Sequence, residues 1–165
     1  MLSRKMNTIK CEDGRSYPIC CTLSVLEQIQ HKYGHITKFQ KLASGIRENE
    51  KAEREEERYT FGPVDVPAVL DGLLWMLNEG IEIENEEKEA GKPLIENRKE
   101  AARIIRCSEL SLSEVAAMVV NEMLVCIDPK KQQSVQRKEK MTNPSLTLHG
   151  FFIRLKDILT VRKRK

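Results

Sequence analysis

The sequence predicts a mainly α-helical fold with a small N-terminal β-hairpin (α+β): a compact helical domain followed by a basic C-terminal tail. Three observations predict it. From Val66 to Leu77 the apolar residues Val66, Val69, Leu70, Leu73, Leu74 and Leu77 keep the i, i+3, i+4 spacing of one helical face. Near the N-terminus, Asp13-Gly14 separates two short alternating stretches, the pattern of a hairpin. Aromatic residues make up only 5% of the 165, which suits helices packed through Leu, Ile and Val better than a β-sandwich.

The hairpin strands fall in Met6–Cys11 and Arg15–Thr22, where Ile9, Cys11, Tyr17, Ile19 and Cys21 alternate. Pro18 makes the second strand an edge or an irregular strand, because proline donates no backbone hydrogen bond. Thr22 is placed to cap a helix from Leu23 to about Lys32, with Leu23, Leu26, Ile29, Gln30 and Tyr33 on its inner stripe, Val25 beside it and Gly34 as its stop. Thr37-Lys38-Phe39-Gln40 has the form of a capping box opening a second short helix, whose last turn Gly45 weakens. The stretch Glu48–Arg58 is almost wholly charged. A solvated helix and a loop both satisfy it, and opposite charges at Glu50–Arg54 and Lys51–Glu55 favour an exposed helical extension.

Asp65 and Pro67 open the central helix, the first as a side-chain cap and the second in the turn where a missing N–H costs little. Gly72 is its weak position, and Gly80 is expected to end it. Trp75 is expected to be buried between this helix and a later one. Leu94–Arg106 has helical spacing after the break at Gly91-Lys92-Pro93. Ser111 and Glu114 then form a second capping box before Val115–Ile127, which is too apolar all round for a surface helix.

Residues 1–128 therefore read as one helical domain with its N-terminal hairpin, 129–147 as a linker, and 148–165 as a basic amphipathic helix. Charge divides along the same boundary. From Pro129 onward eleven Lys/Arg face two acids, a net +9, which leaves −6 on residues 1–128 of a chain whose total is +3. No apolar run approaches the ~20 residues that span a bilayer. Lys10, Glu12 and Asp13 stand where a signal peptide needs an apolar core, so a cytoplasmic protein is expected.

Five cysteines, an odd number, argue against a disulfide framework. A zinc site drawn from Cys11, Cys20, Cys21 and His31 or His35 matches no zinc spacing, so the thiols are expected as small core hydrophobes. No phosphate-binding loop, dinucleotide fingerprint, HExxH or GxSxG is present, and the histidines form no triad pattern. No catalytic residue, metal or cofactor is expected. The tail, ending Arg162-Lys163-Arg164-Lys165, could track nucleic-acid phosphates, lie on an anionic membrane surface, dock on a protein or simply solubilise the chain.

Two segments carry a family resemblance. Tyr17-Pro18-Ile19-Cys20-Cys21-Thr22-Leu23-Ser24-Val25-Leu26-Glu27-Gln28-Ile29, closing on Lys32-Tyr33-Gly34, resembles the strand, Thr-Leu, helix, Lys-Tyr/Phe-Gly opening of phage tail assembly chaperones. Leu70–Gly80 (LDGLLWMLNEG) is similar to their second signature helix. The resemblance covers about residues 6–128, and the tail departs from the family pattern. It implies a non-enzymatic, prophage-encoded factor in the bacterial cytoplasm, without catalytic residues or cofactor. Such proteins coat the tape measure protein and help deliver it to tail tube subunits, and many have a second form extended by frameshifting. Homo-oligomers are expected. The client surface is expected on Leu26, Ile29 and Tyr33 of the first helix and on Phe151, Phe152, Leu155, Ile158 and Leu159 of the tail. The rival expectation is a small nucleic-acid-binding regulator that uses the basic tail.

Overall fold

The computed structural model describes residues 6–54 and 57–128. The expected linker and tail helix, with Phe151, Phe152, Leu155, Ile158 and Leu159, lie outside the described residues. No described helix is long and apolar enough to cross a membrane.

Strands β1 (Asn7–Lys10) and β2 (Ser16–Ile19) pair antiparallel with Ile9 opposite Tyr17, as the Asp13-Gly14 turn requires. Gly14 takes a φ of +83°, and Asp13 Oδ1 accepts the Arg15 N–H at 3.0 Å. Helix α1 (Leu23–Tyr33) turns Val25, Leu26 and Ile29 into the core and ends at Gly34. The Thr22 hydroxyl does not cap it. It donates instead to Glu79 Oε1 at 2.6 Å.

Helix α2 (Ile36–Ser44) starts one residue before the expected box, so Thr37 lies inside the helix and caps nothing. Gly45, in the left-handed conformation at φ +67°, is the C-cap rather than a weak last turn. Just beyond it, the described residues of the Glu48–Arg58 stretch form no α-helix. Strands β3 (Ile46–Glu48) and β4 (Tyr59–Phe61) form a second antiparallel pair, and Asn49 N continues it by donating to Arg58 O at 2.8 Å. Helical charge pairs contribute only ~0.2–0.5 kcal/mol each, too little to hold a solvated helix against a tertiary alternative. Here the alternative gathers Lys41 and Arg58 around Glu48. Gly62 N and Asp65 N then donate to Gly45 O and Leu42 O, seating the next helix beside the end of α2.

That helix, α3 (Val66–Lys88), is the centre of the fold, touching β2, α1, α2 and the two later helices. Its Asp65 cap forms as expected, with Oδ1 accepting from Ala68 N at 2.8 Å. Leu73, Met76 and Leu77 are fully buried, each contributing about 1.5–3 kcal/mol. Gly80 does not stop it. The β2 backbone crosses there, and a Cβ would stand 2.5 Å from Pro18 O. Gly72 is likewise a crossing point, where a Cβ would meet Phe39 Cζ at 2.6 Å and Val119 Cγ1 at 2.8 Å. Both glycines trade helix propensity for close approach.

Helix α4 (Arg98–Cys107) is capped by Asn97, so the residues from Leu94 onward that were expected as its first turn lie outside it. Helix α5 (Leu112–Ile127) opens with the predicted capping box: Glu114 Oε2 accepts from Ser111 N at 2.7 Å, and Glu114 N donates to Ser111 Oγ at 3.3 Å. It packs against α2 and α3 and buries Val115, Val119, Val120 and Met123. Its buried Glu122 accepts a hydrogen bond from Asn7 of β1. Trp75 is not enclosed between α3 and α5. It is half-buried, its ring edge-on to Tyr33 of α1 at 6.5 Å, with the Lys32 ammonium 5.8 Å from its centre.

Candidate partner-binding groove and the Asp71 junction

The connection between α3 and α4 builds one wall of an open groove. Glu89 (φ 49°) and Gly91 (φ +60°) take left-handed conformations as the chain reverses, and a residue before proline, here Lys92, is disfavoured from continuing a helix. Two asparagines of α3 hold the returning segment. Asn85 Oδ1 accepts from Lys92 N at 2.7 Å while its Nδ2 donates to Lys92 O at 2.8 Å. Asn78 treats Ile95 the same way, at 2.7 and 3.0 Å. The spacing explains the match. Seven helical residues rise ~10.5 Å along one face, and three extended residues cover ~10 Å. Each side-chain amide thus stands in for a strand neighbour. Lys92 and Lys88 also share Glu84, at 2.8 Å each, and their hydrogen bonds hold the Glu84 carboxyl below the ordinary range.

Between this wall, β2 and α4 lies a groove of about 730 Å³, of the size that accepts a few side chains of a ligand. Pro18, Ile81, Ile95 and Ile104 supply apolar lining, and Leu94, 45% exposed, also borders it. Arg15, Lys92 and Arg103 bring positive charge, and Glu96 and Glu100 negative charge. Arg15 is held by Asp13, whose carboxyl their hydrogen bonds push down. Apolar lining with charges of both signs suits a segment of polypeptide, which apolar contacts would hold and charges would orient. Among the described residues no group of three or more His, Cys, Asp or Glu could hold a metal ion.

A second polar centre sits where α1, α3 and α4 meet. Asp71 is 3% exposed in the middle of the apolar α3. Arg98 reaches it with two nitrogens at 2.5 and 2.7 Å, Lys32 Nζ lies 2.6 Å away, and Tyr33 donates its hydroxyl at 2.6 Å. Burial pushes the Asp71 carboxyl up. The hydrogen bonds from Arg98, Lys32 and Tyr33 outweigh it and hold the group below the ordinary range. Burial and the Asp71 charge both raise the Tyr33 hydroxyl.

Of the residues expected to bind a client, Leu26 and Ile29 are buried and Tyr33 is half-buried, its ring edge-on to Phe39 at 5.2 Å. All three face the core of the described domain. The apolar residue that α1 leaves in the open is Leu23, 78% exposed. Sequence reasoning missed Asp71, Asn78 and Asn85. Asp71 had one signal, a lone acid inside an apolar stripe, and the asparagines had theirs in the seven-residue repeat before Pro93. Comparison with protein-family models, with curated proteins and with solved structures finds no match to this chain.

Proposed function

We propose that this chain is a non-enzymatic assembly chaperone of the phage tail type, which binds a tape measure protein and passes it to tail tube subunits. One observation carries the reading. The two segments that resemble the family, far apart in sequence, are one packed unit. Cys20 N donates to Met76 O at 3.1 Å, Thr22 Oγ1 to Glu79 Oε1 at 2.6 Å, and Tyr33 to Asp71 at 2.6 Å, while Gly80 receives the Pro18 backbone. A shared pattern of Thr-Leu, Lys-Tyr-Gly and a Gly-bearing helix is what such a joint would impose on a family. The groove beside β2 is the surface offered to the client, and the exposed Leu23 and Phe61 are the apolar positions offered to a second copy.

Co-expression of the full chain with a tape measure protein from the same genome tests this. A complex should co-purify, and Leu94→Asp should weaken it several-fold without changing the melting midpoint. Phe152→Ser with Leu155→Ser asks the same of the tail. Absence of any complex, together with nucleic-acid binding that falls steeply as salt rises, would replace this reading with the regulator.

A further inference from the structure

Two of the five thiols meet at the groove. The end of α4 runs beside the first hairpin: Cys11 bridges antiparallel to Ser108, and Glu12 N donates to Cys107 O at 2.9 Å. This brings together side chains 96 positions apart. Cys11 Sγ donates to Ile104 O at 3.7 Å, one turn before Cys107, and both cysteines line the open groove. Their exposure differs. Cys11 is 7% exposed, whereas Cys107 is half-buried and so the more accessible of the two.

We propose that Cys11 and Cys107 form an oxidisable dithiol, which closes to an intramolecular disulfide by exchange with a low-molecular-weight disulfide entering the groove. Cys107 acts first, being the thiol that a reagent reaches. Its thiolate attacks one sulfur of the small disulfide, forming a mixed disulfide and releasing one small thiolate. The Cys11 thiolate then attacks Cys107 Sγ and expels the second small thiolate. The two protons lost by the protein thiols balance the two small thiolates released, and the small disulfide is the oxidant, reduced to two thiols. Burial, and the neighbouring Cys107, push the Cys11 thiol up, which suits a resolving thiol that stays protonated until the mixed disulfide stands beside it. Cys21 and Cys126 do not line this groove.

The product would fasten the hairpin to the end of α4 beneath the groove. Because the bond closes a loop of nearly a hundred residues, it removes much freedom from the unfolded chain. The full, reduced chain treated with oxidised glutathione at pH 8 tests this. The expected result is a mass about 2 Da lower, from the loss of two hydrogens. Peptide mapping should find the 11–107 linkage as the main product, and the melting midpoint should rise by about 10 °C. Cys107→Ser should lose both linkage and shift, with Cys11→Ser as the second variant. The same treatment in urea should give scrambled pairings. An 11–107 linkage no more abundant in the native chain than in urea would overturn the proposal, as would a mixed disulfide that persists on Cys107 without closing.

Discussion

Arg98 grips Asp71 side-on, Nε to Oδ1 at 2.5 Å and Nη2 to Oδ2 at 2.7 Å, so the first residue of α4 is anchored in the middle of α3. A planar guanidinium matched to a carboxylate in this way fixes orientation as well as distance. Asp71→Asn should therefore loosen the packing of α4 and α1 on α3 together. Both cations are nearly half-exposed, which places the cost at about 2–3 kcal/mol, the low end for a broken buried pair. Urea denaturation checks it, and a midpoint within error of the parent would contradict the anchoring role.

The same carboxyl sets an acid limit. Its folded pKa is depressed, so its stabilisation is complete above the unfolded value of ~3.9 and is lost as pH falls through the folded one. Stability measured from about pH 5 down to pH 2 should fall more steeply in the parent than in Asp71→Asn. Parallel curves would remove Asp71 from the acid transition.

Gly80→Ala should destabilise by about 2 kcal/mol, even though alanine is the better helix former by ~1 kcal/mol. The added Cβ meets backbone, Pro18 O at 2.5 Å, and no side chain can move aside. Gly72→Ala differs, because it meets the side chains of Phe39 and Val119. Val119→Ala should partly rescue Gly72→Ala in a double-mutant cycle and leave Gly80→Ala unrescued.

Asn78→Ala removes both hydrogen bonds that hold Ile95, at a cost of about 1–2 kcal/mol. Hydrogen exchange should accelerate at Ile95 more than at Lys92, which Asn85 still holds. Equal protection in parent and variant would mean that the groove wall is held by other contacts.

Trp75 is the chain's single tryptophan and lies beside Tyr33 and Lys32, so its fluorescence reports on the Asp71 junction. Being half-buried, it should lose about 2 kcal/mol as Trp75→Ala, less than a fully enclosed ring. In Asp71→Asn its emission should shift to the red. An unchanged spectrum would separate the ring from the junction.

What the sequence by itself determined is local. The Asp13-Gly14 turn, the Asp65 cap and the Ser111–Glu114 box appear as read, because each depends on residues within one or two turns of chain. The α3 stripe is rotated from its reading: Val69, Leu73 and Leu77 are buried together with Ala68, Gly72 and Met76, while Val66 is 44% exposed. What only the tertiary structure decided is where distant segments touch. Gly80 looked like a stop and is a crossing point, since its meaning lies in Pro18, 62 positions earlier. The charged run after Glu48 looked helical, yet its ends are tied together by Asn49 N donating to Arg58 O as the continuation of a second hairpin. The groove was invisible for the same reason: one wall exists only because Asn78 and Asn85 pair with a segment that returns antiparallel to their helix. Periodicity records which face of an element is buried, and the partner that buries it is set by packing across the whole chain.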